Sequence, residues 1–369
     1  MKKGWEEKFL VKEFSLKSGD NLPAKKQVEG PYPVYGGNGI AGYHNEYNIT
    51  GDNILIGRVG ALCGNIHHTN GKVWVTDNAF VVNKIATYWD INFLTLELKY
   101  LKLNQYASQT AQPVISNKSM KDVRLFLPPL SEQKEIVEYL DSSFAKIDKL
   151  KENAAKNLEE AKALFQSALK DALEPKEGWE EKMLKDVTTA IGDGLHGTPH
   201  YTVNGGYYFI NGNNLEDGKI VIKEDTKQVD VTEYNKLKIN LEGNTLLLSI
   251  NGTIGKNAFY NGEEIVLGKS ACYLSVTSEL KKEYLRYFIL SDYFFKYVQK
   301  NSRQATIKNL GLKEIRMMPI PIPPMSEQQS IVSFLDSLNE KVNTLQQNYS
   351  RICDECDALK QAILRQVFE

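Results

Sequence analysis

The chain has 369 residues, with 45 Lys and Arg against 46 Asp and Glu, a net charge of −1, and 42% hydrophobic residues. That length implies two domains, and the composition is globular, neither fibrous nor disordered. The charge balance counts against a strong free-standing nucleic-acid binder, because such a protein must replace phosphate counterions with Lys and Arg. The start, Met1-Lys2-Lys3-Gly4-Trp5-Glu6, runs straight into charge, and apolar runs such as Leu246-Leu247-Leu248 are too short for a bilayer. A soluble, cytoplasmic protein without membrane contact is expected. The four cysteines, Cys63, Cys272, Cys353 and Cys356, are too sparse for a disulfide scaffold and suit a reducing compartment.

In chain order, short β-like runs with Gly-Asn turns come first, among them Asn53-Ile54-Leu55-Ile56-Gly57 and Val73-Trp74-Val75. Apolar residues at three- and four-residue spacing then predict a helix from about Ile91 to Tyr106. A short strand leads to Pro128-Pro129, and a long helix follows. Ser131 is expected as its N-cap, with acidic residues in the first turn. Its apolar positions run Ile136, Leu140, Phe144, Ile147, Leu150, Ala154, Leu158, Ala161, Phe165 and Ala168.

The same order then returns. Gly4-Trp5-Glu6-Glu7-Lys8 reappears as Gly178-Trp179-Glu180-Glu181-Lys182, and Gly60-Ala61-Leu62-Cys63-Gly64 has a looser echo in Gly252-Thr253-Ile254-Gly255-Lys256. Pro128-Pro129-Leu130-Ser131-Glu132-Gln133, with Ile136-Val137 and Leu140-Asp141, reappears as Pro323-Pro324-Met325-Ser326-Glu327-Gln328, with Ile331-Val332 and Leu335-Asp336. The offset grows along the chain, so the second copy carries insertions, mostly between Lys182 and Leu246. So long a period marks a domain duplication and not a solenoid. Helical spacing recurs from Glu279 to Gln299. After the second Pro-Pro, with Ser326 as expected N-cap, a sustained heptad seam runs through Ile331, Leu335, Leu338, Val342, Leu345, Tyr349, Ile352, Cys356, Leu359 and Ile363.

Each long helix holds roughly 42 residues, about 60 Å. The first seam is less regular, since Ser143, Asn157 and Asp171 stand where the second has Leu338, Ile352 and Gln366. Each stripe must be covered, and the expected cover is the other copy's helix. The expected fold is α+β: two tandem β-rich domains with helices, each followed by a long helix, the two helices pairing as an antiparallel coiled coil. The expected boundaries are 1–128 for the first domain, 129–174 for the central helix, 175–322 for the second domain and 323–369 for the distal helix.

Motifs for catalysis fail on context. Gly192-Asp193-Gly194-Leu195-His196-Gly197 fits GxGxxG, but Thr198-Pro199 follows at once, leaving no helix start to face a pyrophosphate. Cys353 and Cys356 lie on the heptad helix, with no second pair or nearby His to complete a zinc site. His196 and His200 are separated by Gly197 and Pro199, which deny them a common helical face. His67-His68 is no stronger. There is no phosphate loop, no HExxH, no GxSxG, no amino-methyltransferase tetrad, and no Pro-Asp of the common nuclease sites. No metal, no cofactor and no catalysis are expected in this chain.

Taken together, Gly-Trp-Glu, a variable domain, Pro-Pro-(Leu/Met)-Ser-Glu-Gln and a long helix, written twice, resemble the specificity subunit of type I restriction–modification enzymes over essentially the whole chain. Tyr32-Pro33-Val34-Tyr35-Gly36-Gly37-Asn38-Gly39 and Gly57-Arg58-Val59-Gly60 resemble one class of target-recognition domain. Gly194-Leu195-His196-Gly197-Thr198-Pro199 and Asn251-Gly252-Thr253-Ile254-Gly255 resemble another. The resemblance implies a non-catalytic DNA-recognition subunit whose two domains each read half of a bipartite asymmetric site on double-stranded DNA. It implies helices that set the spacer and dock two methyltransferase subunits, with restriction (ATP-dependent translocase and nuclease) subunits as further partners. S-adenosylmethionine, ATP and Mg are then expected on the partners. Two alternatives stay open: the specificity chain of a type IIB-like restriction–modification enzyme, and a coiled-coil interaction protein with no DNA role.

Base reading needs Arg or Lys toward guanine and Asn or Gln toward adenine, on loops that reach the major groove. In the first domain the candidates are Asn38, His44, Arg58, Gln109, Gln112, Asn117 and Lys118. In the second they are His196, His200, Asn211, Asn213, Asn251, Lys256, Arg303, Gln304 and Lys308. Arg58 leads, because flanking glycines allow close backbone approach. Gln304 and Lys308 follow, lying before the strand that leads to the second helix.

Overall fold

A computed structural model describes residues 4–108, 111–302 and 309–369. The chain divides into two compact units, Met1–Ala154 with Ser350–Glu369, and Ala155–Tyr349. No helix among the described residues is long and apolar enough to cross a membrane.

In the first unit a four-stranded antiparallel sheet has the spatial order Ser15–Ser18, Ala79–Asn83, Asn53–Gly57, Ile66–Thr69. Beside it lies a three-stranded sheet. Its middle strand, Tyr32–Gly36, pairs antiparallel with Gly39–His44 and parallel with Trp74–Val75. The second unit repeats this plan. Its four-stranded sheet runs Thr188–Asp193, Ala271–Val276, Thr245–Ser249, Asn257–Phe259. The middle strand Tyr207–Ile210 again pairs antiparallel with one neighbour, Gln228–Val229, and parallel with the other, Ile265–Leu267. The added sequence between Tyr207 and Thr245 forms the small hairpin Leu215–Glu216 with Lys219–Ile220 and the helix Val231–Leu237.

Helices cover one face of each four-stranded sheet. The helix Ile91–Tyr100 is capped by Asp90, whose carboxylate accepts from Asn92 N and Phe93 N, and it stops short of the expected end; Leu103–Tyr106 is a separate 3₁₀ turn. The helix expected from Glu279 to Gln299 is two, Lys282–Ile289 and Asp292–Asn301. Ser291 breaks them, its hydroxyl capping the second.

The long helices span Leu130–Leu173 and Met325–Phe368, 44 residues each, about 66 Å. Each begins one residue before its serine. Pro129 O accepts from Gln133 N, and Pro324 O accepts from Gln328 N. Ser131 and Ser326 therefore sit inside the first turn and are not the N-caps expected from sequence. Proline serves there because it has no N–H to leave unpaired and cannot extend the helix backwards.

The joint between domain and helix is built from the repeated residues. Glu6–Phe9 pairs antiparallel with Arg124–Leu127, and Glu180–Met183 with Pro319–Ile322. Trp5 Nε1 donates to Glu132 Oε1 and Trp179 Nε1 to Glu327 Oε2, both at 2.9 Å. Gln133, fully buried, accepts from Asp90 N at 2.7 Å and donates to Tyr88 O at 2.9 Å and Pro128 O at 2.8 Å. Gln328, equally buried, accepts from Lys281 N at 2.9 Å and donates to Glu279 O at 2.8 Å and Pro323 O at 3.0 Å. One amide thus ties the long helix to the backbone ahead of the domain's own helix, twice over.

Within each unit the two long helices run side by side and antiparallel. In the first, Lys151 Nζ meets Asp357 Oδ1 at 2.9 Å and Lys360 Nζ meets Asp148 Oδ1 at 2.6 Å, with Lys360 also over the Phe144 ring. Leu140, Leu364, Val367 and Phe368 enter the first domain's core. In the second, Phe165, Leu169, Leu173, Ile331, Val332 and Leu335 enter the second domain's core. The seam departs from the expected heptads. Leu150, Leu345 and Leu359 are 58%, 40% and 48% exposed, and beside Leu150 and Leu359 the facing positions belong to the ion-paired Lys151 and Lys360.

Among the described residues, Glu97 is the one buried acid of the first core, 1% exposed, accepting from Phe126 N at 2.5 Å while its second oxygen has no partner there. Burial pushes its carboxyl up to about 8, only partly offset by the Phe126 N–H. The unfolded carboxyl titrates near 4.5, so the folded state holds the extra proton between the two values and stability falls as pH rises through that window. Glu97→Gln keeps the bond from Phe126 and should flatten the melting temperature between pH 5 and 8, gaining up to about 4 kcal/mol at pH 8; an unchanged pH slope in thermal melts would refute this. At the joint, Gln328→Ala strands two carbonyls and an N–H and should cost about 2–4 kcal/mol. Thermal melts against Gln329→Ala, an exposed neighbour expected to be neutral, check it.

Candidate nucleic-acid interface

The polar candidates lie mostly on loops that leave one edge of the paired sheets, and those loops hold each other through backbone bonds. In the first domain Arg58 N donates to Asn78 O (2.8 Å), Arg58 O accepts from Ile115 N (2.9 Å), and Gly57 N donates to Asn65 O (2.8 Å). In the second, Ile250 N donates to Ser270 O (3.1 Å), Ile250 O accepts from Leu310 N (3.0 Å), and Ser249 N donates to Lys256 O (2.7 Å). Thr76 N to Tyr35 O is matched by Gly268 N to Ile210 O, both 2.8 Å. Gly64 N to Gly57 O is matched by Gly255 N to Ser249 O. The lone bridges Val59–Val114 and Asn251–Asn309 correspond too.

These bonds align the domains residue by residue where their sequences do not. Asn38 corresponds to Asn213, Arg58 to Ile250, Val59 to Asn251, Asn65 to Lys256 and Asn78 to Ser270. Gly64 pairs with Gly255, so the echo read from sequence is one residue shorter in the second copy. The close contacts recur as well: a methyl group on Gly19 would lie 2.1 Å from Val75 O, and one on Gly194 2.1 Å from Leu267 O. Gly194 is therefore a packing glycine in a turn, consistent with rejecting a dinucleotide loop.

In the first domain Asn38, Arg58, Gln112, Asn117 and Lys118 lie on loops joined by these backbone bonds, while the hollow of about 400 Å³ in that domain is lined by residues 61–67 with Lys99, Lys102 and Asn104. Of those candidates, all but Arg58 are exposed. Arg58 is not the free reader expected. Its Nη1 donates to Ser18 Oγ at 3.1 Å and Asp77 O at 3.2 Å, and the guanidinium lies over Phe80. Of the flanking glycines, Gly57 permits close approach, but of protein: a methyl there would lie 2.1 Å from Gly37 O, whereas one on Gly60 would meet nothing within 4 Å. His44 is a second correction. It is 5% exposed, its Nδ1 lies 3.1 Å from both Val28 N and Val28 O, and its ring packs edge-on to Trp74. Asn117 reaches Leu16 O weakly, at 3.5 Å.

The second cleft brings together His196, Asn211, Asn213, Asn251 and Lys256 around two adjoining hollows of about 710 and 370 Å³. His196 Nε2 lies 2.8 Å from Asp193 Oδ2 while its ring stays 74% exposed. Asn211 Oδ1 accepts from Ser270 Oγ at 2.9 Å, and Asn251 Nδ2 donates to Lys269 O at 3.3 Å. Lys256 is held at 3.3 Å by Glu216, which Lys223 also binds at 2.8 Å; these two cations, Lys223 first, keep the Glu216 carboxyl below its usual range. His200 stands apart, its backbone N–H donating to Glu233. Gln109, Arg303, Gln304 and Lys308 lie outside the described residues.

Sequence reading passed over Asp193, Lys269 and Ser270, which line the second cleft, and Asp77 and Asn78, whose carbonyls hold Arg58 in the first domain. No group of His, Cys, Asp and Glu able to hold a metal ion occurs among the described residues, and the four cysteines are free. Burial raises the Cys272 thiol far above its ordinary value, so it is inert packing. Removing the Arg58 clamp should loosen the fold of the first domain: Arg58→Ala is expected to lower its stability by about 1–3 kcal/mol. Thermal melts check this, and an unaltered melting temperature with an altered DNA preference would restore Arg58 as a reader.

Solved structures share this fold. A chain from a structural study of complex assembly and conformational transition of the type I R-M system aligns with TM-score 0.78 at 18% identity, covering 100% of this chain and 98% of that one. The HsdS subunit from Thermoanaerobacter tengcongensis aligns with TM-score 0.59 at 18% identity, covering 99% and 97%. Among sequences, the type I restriction enzyme EcoprrI specificity subunit of Escherichia coli is 36% identical over 149 residues, 38% of this chain and 36% of that one. The EcoBI specificity subunit of Escherichia coli is 23% identical over 72% of this chain and 62% of its own length, so neither relative is matched over two thirds of its length. A putative type I restriction enzyme specificity subunit of Haemophilus influenzae is 24% identical over 86% of this chain and 83% of its own length. The type I restriction modification DNA specificity domain family matches residues 2–160 and 176–352, and the chain belongs to that family.

Proposed function

We propose that the chain is the DNA-specificity subunit of a type I restriction–modification complex, each domain reading one half of a bipartite, asymmetric site. The observation that carries this reading is the pair of loop sets with one backbone frame and unlike side chains. A shared frame suits two domains doing the same task, and unlike side chains suit two different half-sites. The chain is non-catalytic in this role. Two methyltransferase subunits, using S-adenosylmethionine, dock on the long helices, and ATP- and Mg-dependent restriction subunits join them.

The near-neutral charge fits such a division of labour. Sequence choice sits in this chain, and much of the cationic grip on phosphate comes from its partners. The 44-residue helices then act as the spacer between the two readers. Antiparallel pairing means that a lengthening must be made in both helices together, or the Lys151–Asp357 and Lys360–Asp148 pairs fall out of register.

One heptad inserted into both helices at the level of the Lys151–Asp357 pair adds about 10 Å. Methylation mapping of the complex should then show the spacer longer by about 3 base pairs, with both half-sites intact. An unchanged spacer would remove the helices from that role.

A further inference from the structure

The duplicated frame fixes one position that no motif marks. In the first domain Ala79 N donates to Thr76 O at 3.1 Å, closing a tight turn with Asp77 and Asn78 at its centre. In the second, Ala271 N donates to Gly268 O at 2.9 Å, closing the same turn around Lys269 and Ser270. Both turns are held on every side. Thr76 N and Gly268 N bind the middle strand, Asn78 O and Ser270 O bind the neighbouring loop, and Val75 O and Leu267 O accept from Asp20 N and Leu195 N at 2.9 and 2.8 Å. Asp77 and Lys269 are thus equivalent by backbone, and they carry opposite charge.

Both side chains are available. Neither takes part in an ion pair among the described residues. Lys269 is exposed at the rim of the larger second hollow, while Lys256 lines the smaller one and is held by Glu216, a carboxylate that Lys223 shares. Asp77 is half-buried, and its backbone carbonyl, not its carboxylate, receives Arg58. A charged tip on a rigid turn loses little freedom on contact, which is what a discriminating hydrogen bond requires.

We infer that Asp77 and Lys269 are equivalent specificity-determining residues, Lys269 donating to the acceptor edge of a guanine in one half-site and Asp77 accepting from the amino group of a cytosine in the other. The inference rests on the reading of the chain as a DNA-specificity subunit. The chemistry is that of the major groove, where guanine presents O6 and N7 and cytosine presents N4–H. A carboxylate repels phosphate, so Asp77 cannot be a backbone contact in this frame, and its counterpart is assigned the same base-facing role.

The test is methylation mapping on a randomised duplex library, using the full chain with its methyltransferase partner. Lys269→Gln and Lys269→Asp should each lower preference for the native base at one position of the second half-site by roughly 10- to 100-fold, leaving the first half-site unchanged. Asp77→Asn and Asp77→Lys should do the converse. Thermal melts matching the unaltered chain show that the variants fold, and Lys269→Arg should retain the guanine preference. Uniform weakening across all sequences with a shallower salt dependence would make Lys269 a phosphate contact and overturn the inference. Unchanged half-sites in folded variants would overturn it too, while leaving the DNA-specificity reading in place. Sequence-independent methylation by the unaltered complex would instead sink that reading, and the inference with it.

Discussion

A single buried glutamine at the start of each long helix organises the molecule. Gln133 and Gln328 each satisfy one N–H and two carbonyls that no regular element could reach. In a buried site such groups are costly when unpaired, so the helix can leave its domain in only one direction. The tryptophan–glutamate bond beside it fixes the incoming strand at the same point. The repeated sequence is therefore a mechanical joint. Every loop of the domain is placed relative to it.

From that joint outward the two domains keep their backbone and change their side chains. The four-stranded sheets share one strand order, and the three-stranded sheets share one mixed pairing. What differs is what projects from the loops. Asn38 and Asn213 coincide at one turn; Arg58 faces inward as a clamp where Ile250 fills the core. A domain that must read one sequence and reject others needs rigid loops with variable tips, and the backbone bonds between loops supply the rigidity without using side chains. The helices mix two kinds of packing. Their ends are absorbed into domain cores, while ion pairs take over near Lys151 and Lys360.

Strands and helices were legible because apolar spacing is set by burial, and burial is what the sheets and helices achieve. The limits of legibility have equally physical causes. A heptad count predicted Leu150 and Leu359 inside the seam, but spacing cannot say whether the stems of Lys151 and Lys360 take the space instead. Glycines around Arg58 announced close approach without saying what approaches. His44 looked like any loop histidine until Val28 and Trp74 enclosed it. The equivalence of Asp77 and Lys269 left no trace in sequence, since it is written entirely in N–H and C=O groups, which every residue shares. The convergence of His196, Asn211, Asn213, Asn251 and Lys256 on one cleft was suggested by residue type alone, and Asp193, Lys269 and Ser270 beside them were not.

The tight turn at Thr76–Ala79 and Gly268–Ala271 also bears on how such a molecule changes over time. Its bonds are made by the main chain, so its outward residue can be replaced with little effect on folding. Opposite charges already occupy the two copies of that position. On the inference that this position reads bases, a single base change in the gene alters what one domain accepts while the chain stays folded. Stability then resides in the main chain of the turn and discrimination in its side chain, and the protein can drift in one without risking the other.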